Sequence, residues 1–301
     1  MITSEQNTDR QLQRLAAQRQ LYATAKIIFG WQVLLSGPVT VVMAFMAIAN
    51  PAFKGYAALW GITVALCDLF WLTPWQKRLR DSGARVQEAF DCDVLALPWN
   101  DVKAGKRPDP ELILEQSEKY KKWAKTMPPL ENWYAPIVGE LPLYIGRLAC
   151  QRSNCWWDSK QRRRYAACVI SVVVLLFTVL LSLSLGSAFT IEDFVLKVAA
   201  PLAPALLLGL RQYSEQREAA TRLDSLQNHA ERLWKDALSG MPEAEITVNA
   251  RSLQDEIFEN RRKSPLVFDA IFKRLRRDYE MQMNHGIDEF VLEAKKRLGT
   301  S

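Results

Sequence analysis

Two pairs of long apolar runs dominate the hydropathy pattern of the chain. The first pair covers residues 27–49 and 55–75, and the second pair covers residues 166–189 and 194–210. A helix crosses the roughly 30 Å hydrocarbon core with about 20 residues, because each residue adds about 1.5 Å along its axis. The pattern therefore predicts four transmembrane helices arranged as two hairpins.

Lysine and arginine are distributed unevenly among the segments that flank these runs. Residues 1–26 contain four, residues 75–165 seventeen and residues 211–301 sixteen, whereas the two hairpin tips contain only Lys54. Because basic residues are retained on the cytoplasmic side of a membrane, both termini and the central segment are expected in the cytoplasm. The formal net charge of +6 comes mostly from the central segment. It indicates membrane-proximal anchors more than a nucleic-acid surface, so no DNA or RNA partner is predicted.

The polar segments have the period of helices. Leu12, Leu15, Ala16, Arg19 and Tyr22 recur at helical spacing, which predicts an amphipathic helix before the first apolar run. The chain is therefore expected to be an all-α membrane protein whose mainly helical cytoplasmic domain is built from the central and C-terminal segments. The predicted parts are an N-terminal cytoplasmic helix (1–26), a first hairpin (27–75), a central cytoplasmic segment (76–165), a second hairpin (166–210) and a C-terminal helical segment (211–301).

Local signals place elements within the cytoplasmic segments. Asp109 followed by Pro110 predicts the start of a helix, whereas residues 90–100, with Pro98 near their end, are expected to be extended or turned. Further helices are expected over 242–263 and 269–297. A heptad-like seam predicts a long helix that stops near Gly240; its members are Leu223, Leu226, Ala230, Leu233 and Ala237.

Signatures of catalysis, cofactors and metals are missing from the sequence. The two histidines, His229 and His285, have no carboxylate or cysteine at metal-ligand spacing, and no nucleotide-binding or hydrolase motif occurs. The five cysteines make no CxxC pair, which favours a reduced cytoplasmic protein without a disulfide framework. We therefore expect a protein that is not an enzyme, with no cofactor and no metal site.

Two stretches combine guanidinium groups with aromatic rings. They lie at residues 150–165 and 261–279. Arginine forks bind phosphate through two parallel hydrogen bonds, and aromatic faces stack on nucleobases, so these stretches predict a pocket for a phosphorylated nucleobase ligand. The alternative is that they are lipid head-group anchors and solvated helix faces. The candidate ligand-binding residues are Arg152, Asn154, Trp157, Arg162, Arg261, Arg262 and Tyr279.

Several polar side chains lie inside the predicted spans. Asp68 is an ionisable residue within the second span, and Lys197 lies near the outer end of the fourth. Ser171, Thr178 and Ser182 fall within a narrow arc of the third span and are candidates for lining a wet path. The alternatives are that Asp68 reaches interfacial water or Lys77, that Lys197 snorkels and pairs with Asp193, and that the hydroxyls form hydrogen bonds between helices.

Four stretches of the chain resemble the SMODS-associated four-transmembrane effector family. They are AAQRQLYATAK, FDCDVLALPWN, WYAP followed by CQRSNCWWDSKQRRRYA, and RRKSPLVFDAIFKRLRRDYE, at residues 16–26, 90–100, 133–166 and 261–280. That family accompanies cyclic-oligonucleotide synthases in bacterial anti-phage systems of the CBASS type. The resemblance implies an inner-membrane effector that binds a cyclic di- or trinucleotide, functions as a homo-oligomer and disrupts the membrane in abortive infection.

Two other functions stay open from the sequence alone. A constitutive lipid-binding scaffold would bind anionic membranes and recruit a cytoplasmic partner without any nucleotide. A transporter is weaker, because the two hairpins show no convincing internal repeat. If Asp68 were its coupling residue, Asp68→Asn would abolish a pH-dependent flux.

Overall fold

The computed structural model describes residues 1–124, 129–186, 190, 192 and 200–299. Every regular element within those residues is helical, which confirms the all-α prediction. The α-helices are α1 (Ile2–Glu5), α2 (Asp9–Leu34), α3 (Thr40–Ala49), α4 (Lys54–Cys67), α5 (Thr73–Val94), α6 (Asp101–Ala104), α7 (Pro110–Lys121), α8 (Leu143–Gly186), α9 (Ala200–Leu238), α10 (Glu243–Lys263) and α11 (Asp269–Leu298).

The chain divides into two compact units that we call the polar unit and the apolar unit. The polar unit comprises Met1–Ala23, Leu79–Arg162 and Glu218–Ser301, and the apolar unit comprises Thr24–Arg78 and Arg163–Arg217. All four points at which the chain passes from one unit to the other lie inside helices: α2, α5, α8 and α9.

The core of the polar unit draws side chains from all three of its chain segments. Ile2 and Leu15 come from the N-terminal segment, Phe90 and Leu148 from the central one, and Trp234 from the C-terminal one. Burial of such side chains provides the main favourable free energy of folding. The N-terminal segment is therefore a structural part of this unit and joins the central and C-terminal segments that the sequence assigned to the domain.

Two hydrogen bonds from the side chain of Gln6 connect the N-terminal segment to the central one. Its Nε2 donates to the backbone oxygen of Tyr134 at 3.1 Å, and the backbone N–H of Tyr134 donates to Gln6 Oε1 at 2.8 Å. Both donors and both acceptors are buried, so leaving any of them without its partner would destabilise the fold. The predicted seam on α9 also faces this core, because Leu223, Ala230 and Leu233 are buried in it.

Two helical stretches that pass through the apolar unit, Asp9–Met43 and Gly55–Val94, are long and apolar enough to cross a membrane, counted over the described residues. Only 6% of the apolar window in the second stretch is buried within the protein. A core helix of a soluble protein would bury most of such a window, so this exposure fits a helix surrounded by lipid. These stretches cover residues 27–43 of the first predicted span and all of the second, while the predicted third and fourth spans include residues outside the described set.

A π-helical turn interrupts each of these apolar stretches. Leu35–Val39 contains Pro38, and Asp68–Leu72 lies just before Pro74. Proline lacks an N–H and clashes with the carbonyl four residues earlier, and a wider turn relieves both problems. Thr40 Oγ1 donates to the backbone oxygen of Leu35 at 3.0 Å, which satisfies one carbonyl of the first turn.

The sequence prediction was wrong for residues 90–94, which continue α5 as a helix. Phe90 and Val94 are one turn apart and both are buried, so tertiary packing outweighs the local turn signals. The helix ends in a Schellman motif in which Ala96 has a φ of 49° and the N–H of Leu97 donates to the oxygen of Cys92 at 2.8 Å. The start of α7 at Pro110, with Asp109 as its N-cap, is as predicted.

Candidate ligand-binding site

Two buried carboxylates lie one helical turn apart on α5 in the polar unit. Glu88 and Asp91 are 1% and 0% exposed. Gln254 on α10 bridges them, because its Nε2 lies 2.9 Å from Glu88 Oε2 and 3.1 Å from Asp91 Oδ2. Two carboxylates held this close in a dry interior disfavour each other's ionisation.

Each carboxylate also lies beside a guanidinium group of α10. Arg251 Nη2 donates to Glu88 Oε1 at 2.6 Å, and Arg261 Nη1 lies 3.0 Å from Asp91 Oδ2 without the alignment of a hydrogen bond. Burial raises the pKa of Glu88, the charge of Asp91 raises it further, and Arg251 does not fully reverse the shift. Such charges are tolerated in a core because they are paired and hydrogen-bonded.

This carboxylate network extends to Tyr134 and to α8. The hydroxyl of Tyr134 donates to Asp91 Oδ1 at 2.7 Å, and Asn154 Nδ2 donates to the Tyr134 hydroxyl at 3.0 Å. Gln151 Nε2 donates to Gln254 Oε1 at 3.0 Å. Helices α5, α8 and α10 are therefore connected by one set of buried hydrogen bonds, which fixes their relative positions within the polar unit.

A second cluster lies at the C-terminal end of α10, where three arginines approach from other helices. Arg80 Nη1 donates to the backbone oxygen of Ser264 at 3.1 Å, and Arg162 Nη1 donates to that of Pro265 at 2.8 Å. Arg222 Nε donates to the side-chain oxygen of Asn260 at 3.1 Å. Guanidinium groups are favourable here because the C-terminal end of a helix carries partial negative charge and because buried oxygens lose free energy without a hydrogen-bond donor.

Several polar atoms beside these arginines are buried without a hydrogen-bond partner in the described part of the chain. They belong to Tyr22 (the hydroxyl), Asn260 (Nδ2), Arg261 (Nη1) and Ser264 (Oγ). We call these four side chains, together with Arg80, Arg162 and Arg222, the donor cluster.

Tyr22 packs tightly at the edge of the donor cluster. Its ring lies against Gly83, where an added Cβ would be only 3.3 Å from the ring carbons. Burial raises the pKa of Tyr22 to about 12, although the charges of Arg261 and Arg80 act in the opposite direction. The hydroxyl is therefore protonated at neutral pH and is available as a hydrogen-bond donor.

The predicted ligand-binding residues fall into different places within the polar unit. Arg162 and Arg261 lie in the donor cluster, and Asn154 lies in the carboxylate network. Trp157 and Tyr279 contact each other edge to face, with ring centroids 6.0 Å apart. The structure thus brings only part of the predicted set together.

Arg152 and Arg262 have partners of their own. Arg152 Nε donates to Glu231 Oε1 at 2.9 Å, and its guanidinium carbon lies 4.9 Å from the centroid of Phe290. Arg262 Nη2 donates to Glu259 Oε1 at 2.7 Å. A role for either residue in ligand binding stays a prediction, and it would require a change in these contacts.

The intramembrane candidates differ in their surroundings. Asp68 Oδ1 accepts hydrogen bonds from Gln32 Nε2 at 2.7 Å and from Thr73 Oγ1 at 2.9 Å. Ser171 donates to the backbone oxygen of Ala167 at 2.8 Å and is exposed. The other two hydroxyl residues, Thr178 and Ser182, are also exposed, and Lys197 lies outside the described residues.

Sequence reasoning missed most members of the two buried clusters. Glu88 and Asp91 share a face of α5 with buried Ala84 and Leu95, so carboxylates at apolar positions were an available signal. Tyr22 and Ser264 carried no such signal. Where side chains are described, no three His, Cys, Asp or Glu residues lie close enough to hold a metal ion.

Comparison with known proteins identifies the family. Residues 1–290 match the family described as SMODS-associating 4TM effector domain. The chain belongs to this family. It is a membrane protein of a family that is not a known class of enzymes.

A curated relative agrees with the family match. The chain is 24% identical over 279 residues to a probable CBASS effector molecule of Bacillus cereus (strain VD146), which covers 90% of this chain and 92% of the relative. No solved structure matches the chain.

Proposed function

We propose that the protein is an inner-membrane effector of bacterial anti-phage defence. Its polar unit binds a cyclic oligonucleotide, and its apolar unit then disrupts the membrane. The match of residues 1–290 to an effector family named for its association with SMODS proteins carries this proposal. The relative from Bacillus cereus, named as a probable CBASS effector, supports it over nearly the same length.

The polar unit offers the chemistry that a nucleotide would require. It contains the donor cluster, whose guanidinium groups and hydroxyls suit phosphate oxygens. It also presents the contacting rings of Trp157 and Tyr279, which suit the stacking of a base. Basic residues near the apolar runs support a cytoplasmic location for this unit, on the side where a synthase would release its product.

The helices that carry residues of both units provide a route for coupling. α2, α5, α8 and α9 each continue from one unit into the other. Ligand binding that favours one arrangement of these helices in the polar unit therefore biases their continuation in the apolar unit. The ligand can shift that equilibrium only by its difference in affinity for the two arrangements.

Oligomerisation is part of the proposal. Four helices enclose little space by themselves, so a pore or a large bilayer defect requires several copies. Ser171, Thr178 and Ser182 would then face another copy or the resulting water-filled path. A protein that stays strictly monomeric with ligand bound would argue against pore formation.

Dye release from liposomes tests the proposal. The purified chain is inserted with its polar unit outside, and cyclic di- and trinucleotides are added one at a time. We expect release with one nucleotide, and none with its linear form or with protein-free liposomes. Absence of release with every nucleotide, in protein shown to be folded and inserted, would contradict the proposal.

The same preparation distinguishes the scaffold alternative. A constitutive scaffold would bind anionic liposomes equally with and without nucleotide, and it would leave the dye inside. The effector requires a response that depends on the nucleotide. Comparing lipid binding with dye release in parallel samples therefore separates the two functions.

A further inference from the structure

Four atoms of the donor cluster are buried and lack hydrogen-bond acceptors among the described residues. They are the Tyr22 hydroxyl, Asn260 Nδ2, Ser264 Oγ and Arg261 Nη1. Asn260 and Ser264 are only 4% and 1% exposed, so bulk water does not reach them in this conformation. Buried donors are almost always paired in folded proteins, so four unpaired ones in one cluster require an explanation.

These donors lie beside several guanidinium groups, of which Arg162 also pairs with Asp158 and Arg222 with Glu218. Arg80 and Arg162 donate to the backbone oxygens of the two residues that follow α10, and Arg222 donates to the side chain of Asn260 in its last turn. Burial raises the pKa of Tyr22 and the charge of Asp158 also raises it, whereas the charges of Arg261, Arg80 and Arg162 lower it. The guanidinium groups therefore supply positive charge near the site, while the four atoms without hydrogen-bond partners can donate hydrogen bonds to a ligand.

An occupant of this site must bring hydrogen-bond acceptors, and guanidinium groups form their strongest hydrogen bonds with acceptors that are anionic. A water molecule brings acceptor capacity but no charge. A phosphoryl group brings several anionic oxygens, and hydroxyl, amide and guanidinium donors bind such oxygens strongly. The cluster also borders one unpaired acceptor, Gln18 Oε1, which is one helical turn from Tyr22 and suits a hydroxyl or amino group of the same molecule.

We infer that the donor cluster is a binding site for a phosphoryl group, with Tyr22, Asn260, Arg261 and Ser264 donating to its oxygens. The phosphate chemistry follows from the cluster itself. The assignment of that phosphoryl group to a cyclic oligonucleotide rests on the proposed function.

The site explains why Arg261 lies near Asp91 without an aligned hydrogen bond. Its Nη1 is 3.0 Å from the Asp91 oxygen, yet it remains available as a donor. An incoming phosphoryl oxygen would compete with Asp91 for this guanidinium group. Binding at the donor cluster would therefore alter the carboxylate network that connects α5, α8 and α10.

The test uses the full chain, purified in a maltoside detergent and phosphate-free buffer, with the variants Tyr22→Phe and Ser264→Ala. Three probes are added separately: inorganic phosphate, a panel of cyclic di- and trinucleotides, and mixed micelles containing phosphatidylglycerol. Thermal unfolding and calorimetry report binding. We expect each substitution to weaken binding of the effective phosphate probe about tenfold or more, because a hydrogen bond to an anion is lost.

The Tm of the variants without ligand gives a second measurement, and the direction of its change distinguishes the two explanations. Removing an unpaired buried hydroxyl should leave the Tm of the free protein unchanged or raise it, because no hydrogen bond is lost. Tyr144→Phe and Ser225→Ala are matched controls in the same unit, and they should bind the probes like the wild type. A hydroxyl that only holds the fold together would instead lower the Tm of the free protein when removed.

The outcomes separate this inference from the proposed function. Equal affinity of the wild type and both variants for a bound nucleotide overturns the phosphate site but leaves nucleotide sensing intact. Binding of inorganic phosphate that both variants weaken, without any nucleotide response, supports the site and contradicts nucleotide sensing. Binding of phosphatidylglycerol alone, weakened by both variants, supports the site with a lipid head group as its source. Binding of no probe by the wild type overturns the inference.

Discussion

Individual side chains in the polar unit combine burial with charge, and the balance of the two sets how stability depends on pH. Asp93 illustrates this balance. Arg14 Nη1 lies 2.7 Å from its Oδ2, and Arg107 Nη1 lies 3.2 Å from its Oδ1. Burial alone would raise the pKa of Asp93, but the hydrogen bond and charge of Arg14, with those of Arg107, lower it below its usual value.

A lowered carboxyl pKa stabilises the fold above the unfolded-state value, about 4, and this contribution disappears as pH falls through the folded-state value. We therefore expect Asp93→Asn to reduce stability by about 1–3 kcal/mol at neutral pH and by less in acid. Thermal unfolding between pH 7 and pH 2 measures both effects. Glu115→Gln, which removes one half of an exposed ion pair with Lys119, is the control and should change little. Equal loss at every pH would contradict the expected linkage.

Arg152 provides a second prediction at the residue scale. Because it bonds to Glu231 and lies over the ring of Phe290, Arg152→Ala should destabilise the polar unit by about 1–3 kcal/mol. Combining it with Glu231→Gln in a double-mutant cycle measures the coupling, and the two effects should be clearly non-additive. An Arg152→Ala variant with wild-type stability and no nucleotide response would instead place this residue in the ligand site.

At the scale of elements, the two π-helical turns belong to neighbouring parts of the apolar unit. Gln32 lies one turn before the first π turn, and Asp68 begins the second, so their hydrogen bond joins the two apolar stretches. Thr73 at the end of the second turn shares the same carboxylate oxygen. Within a low-dielectric unit, such a bond fixes the register of two helices whose surfaces are otherwise apolar.

The Gln32–Asp68 bond predicts different effects for two substitutions. Asp68→Asn keeps a carbonyl that accepts from Gln32, so stability should stay near that of the wild type. Asp68→Ala leaves the Gln32 amide without this acceptor and should cost about 1–2 kcal/mol. Thermal unfolding in detergent compares the two variants, with Thr63→Val as a control on an exposed face. Equal stability of all three variants would show that the bond does not contribute. A pH-dependent flux lost in Asp68→Asn would favour the transporter alternative.

Helices were the part of the fold that could be predicted most fully. The N-cap at Asp109 and the apolar seam of α9 follow local rules of capping and periodicity, and both agree with the structure. The extension of α5 through Phe90 did not follow such rules, because it depends on what packs against that side chain. The four-span arrangement is not established by the described residues, although the family match and two apolar helices agree with a membrane protein.

The candidate site could be predicted only in part, since its members meet through tertiary structure. Tyr22, Arg80, Arg162 and Arg261 are separated by tens of residues, and no periodicity shows that they converge. Arginines are visible in a sequence, but their partners are not. Arg152 donates an aligned hydrogen bond to a carboxylate of the fold, whereas Arg261 Nη1 lies beside the carboxylate of Asp91 without that alignment.

At the scale of the whole molecule, the polar unit depends on chain ends that are far apart in sequence. Val291 and Ala294, near the C-terminus, are 1% and 0% exposed in its core. Lys295 Nζ also forms an ion pair with Glu140 Oε2 at 2.7 Å. The family match ends at residue 290, yet the residues just beyond it are packed. This packing gives the last turns of α11 a structural role.

Truncation after Phe290 tests that role. Removing Val291, Ala294 and the partly buried Leu298 should destabilise the polar unit by several kcal/mol, because about 1.5–3 kcal/mol is expected from each large buried side chain. Limited proteolysis and thermal unfolding measure the loss. A matched truncation after Leu298 removes only the last three residues and should be tolerated. Wild-type protease resistance in the shorter protein would contradict this prediction.

The three-segment construction of the polar unit also sets the order of events during synthesis. A ribosome delivers the apolar helices before it has released Val291 and Ala294, so the membrane part is inserted while the core of the polar unit is still incomplete. If the proposed function is correct, the membrane-disrupting helices of each new molecule are already inserted before its nucleotide-binding unit has folded. Rapid closure of the polar unit around its last helix would then protect an uninfected cell from its own defence protein.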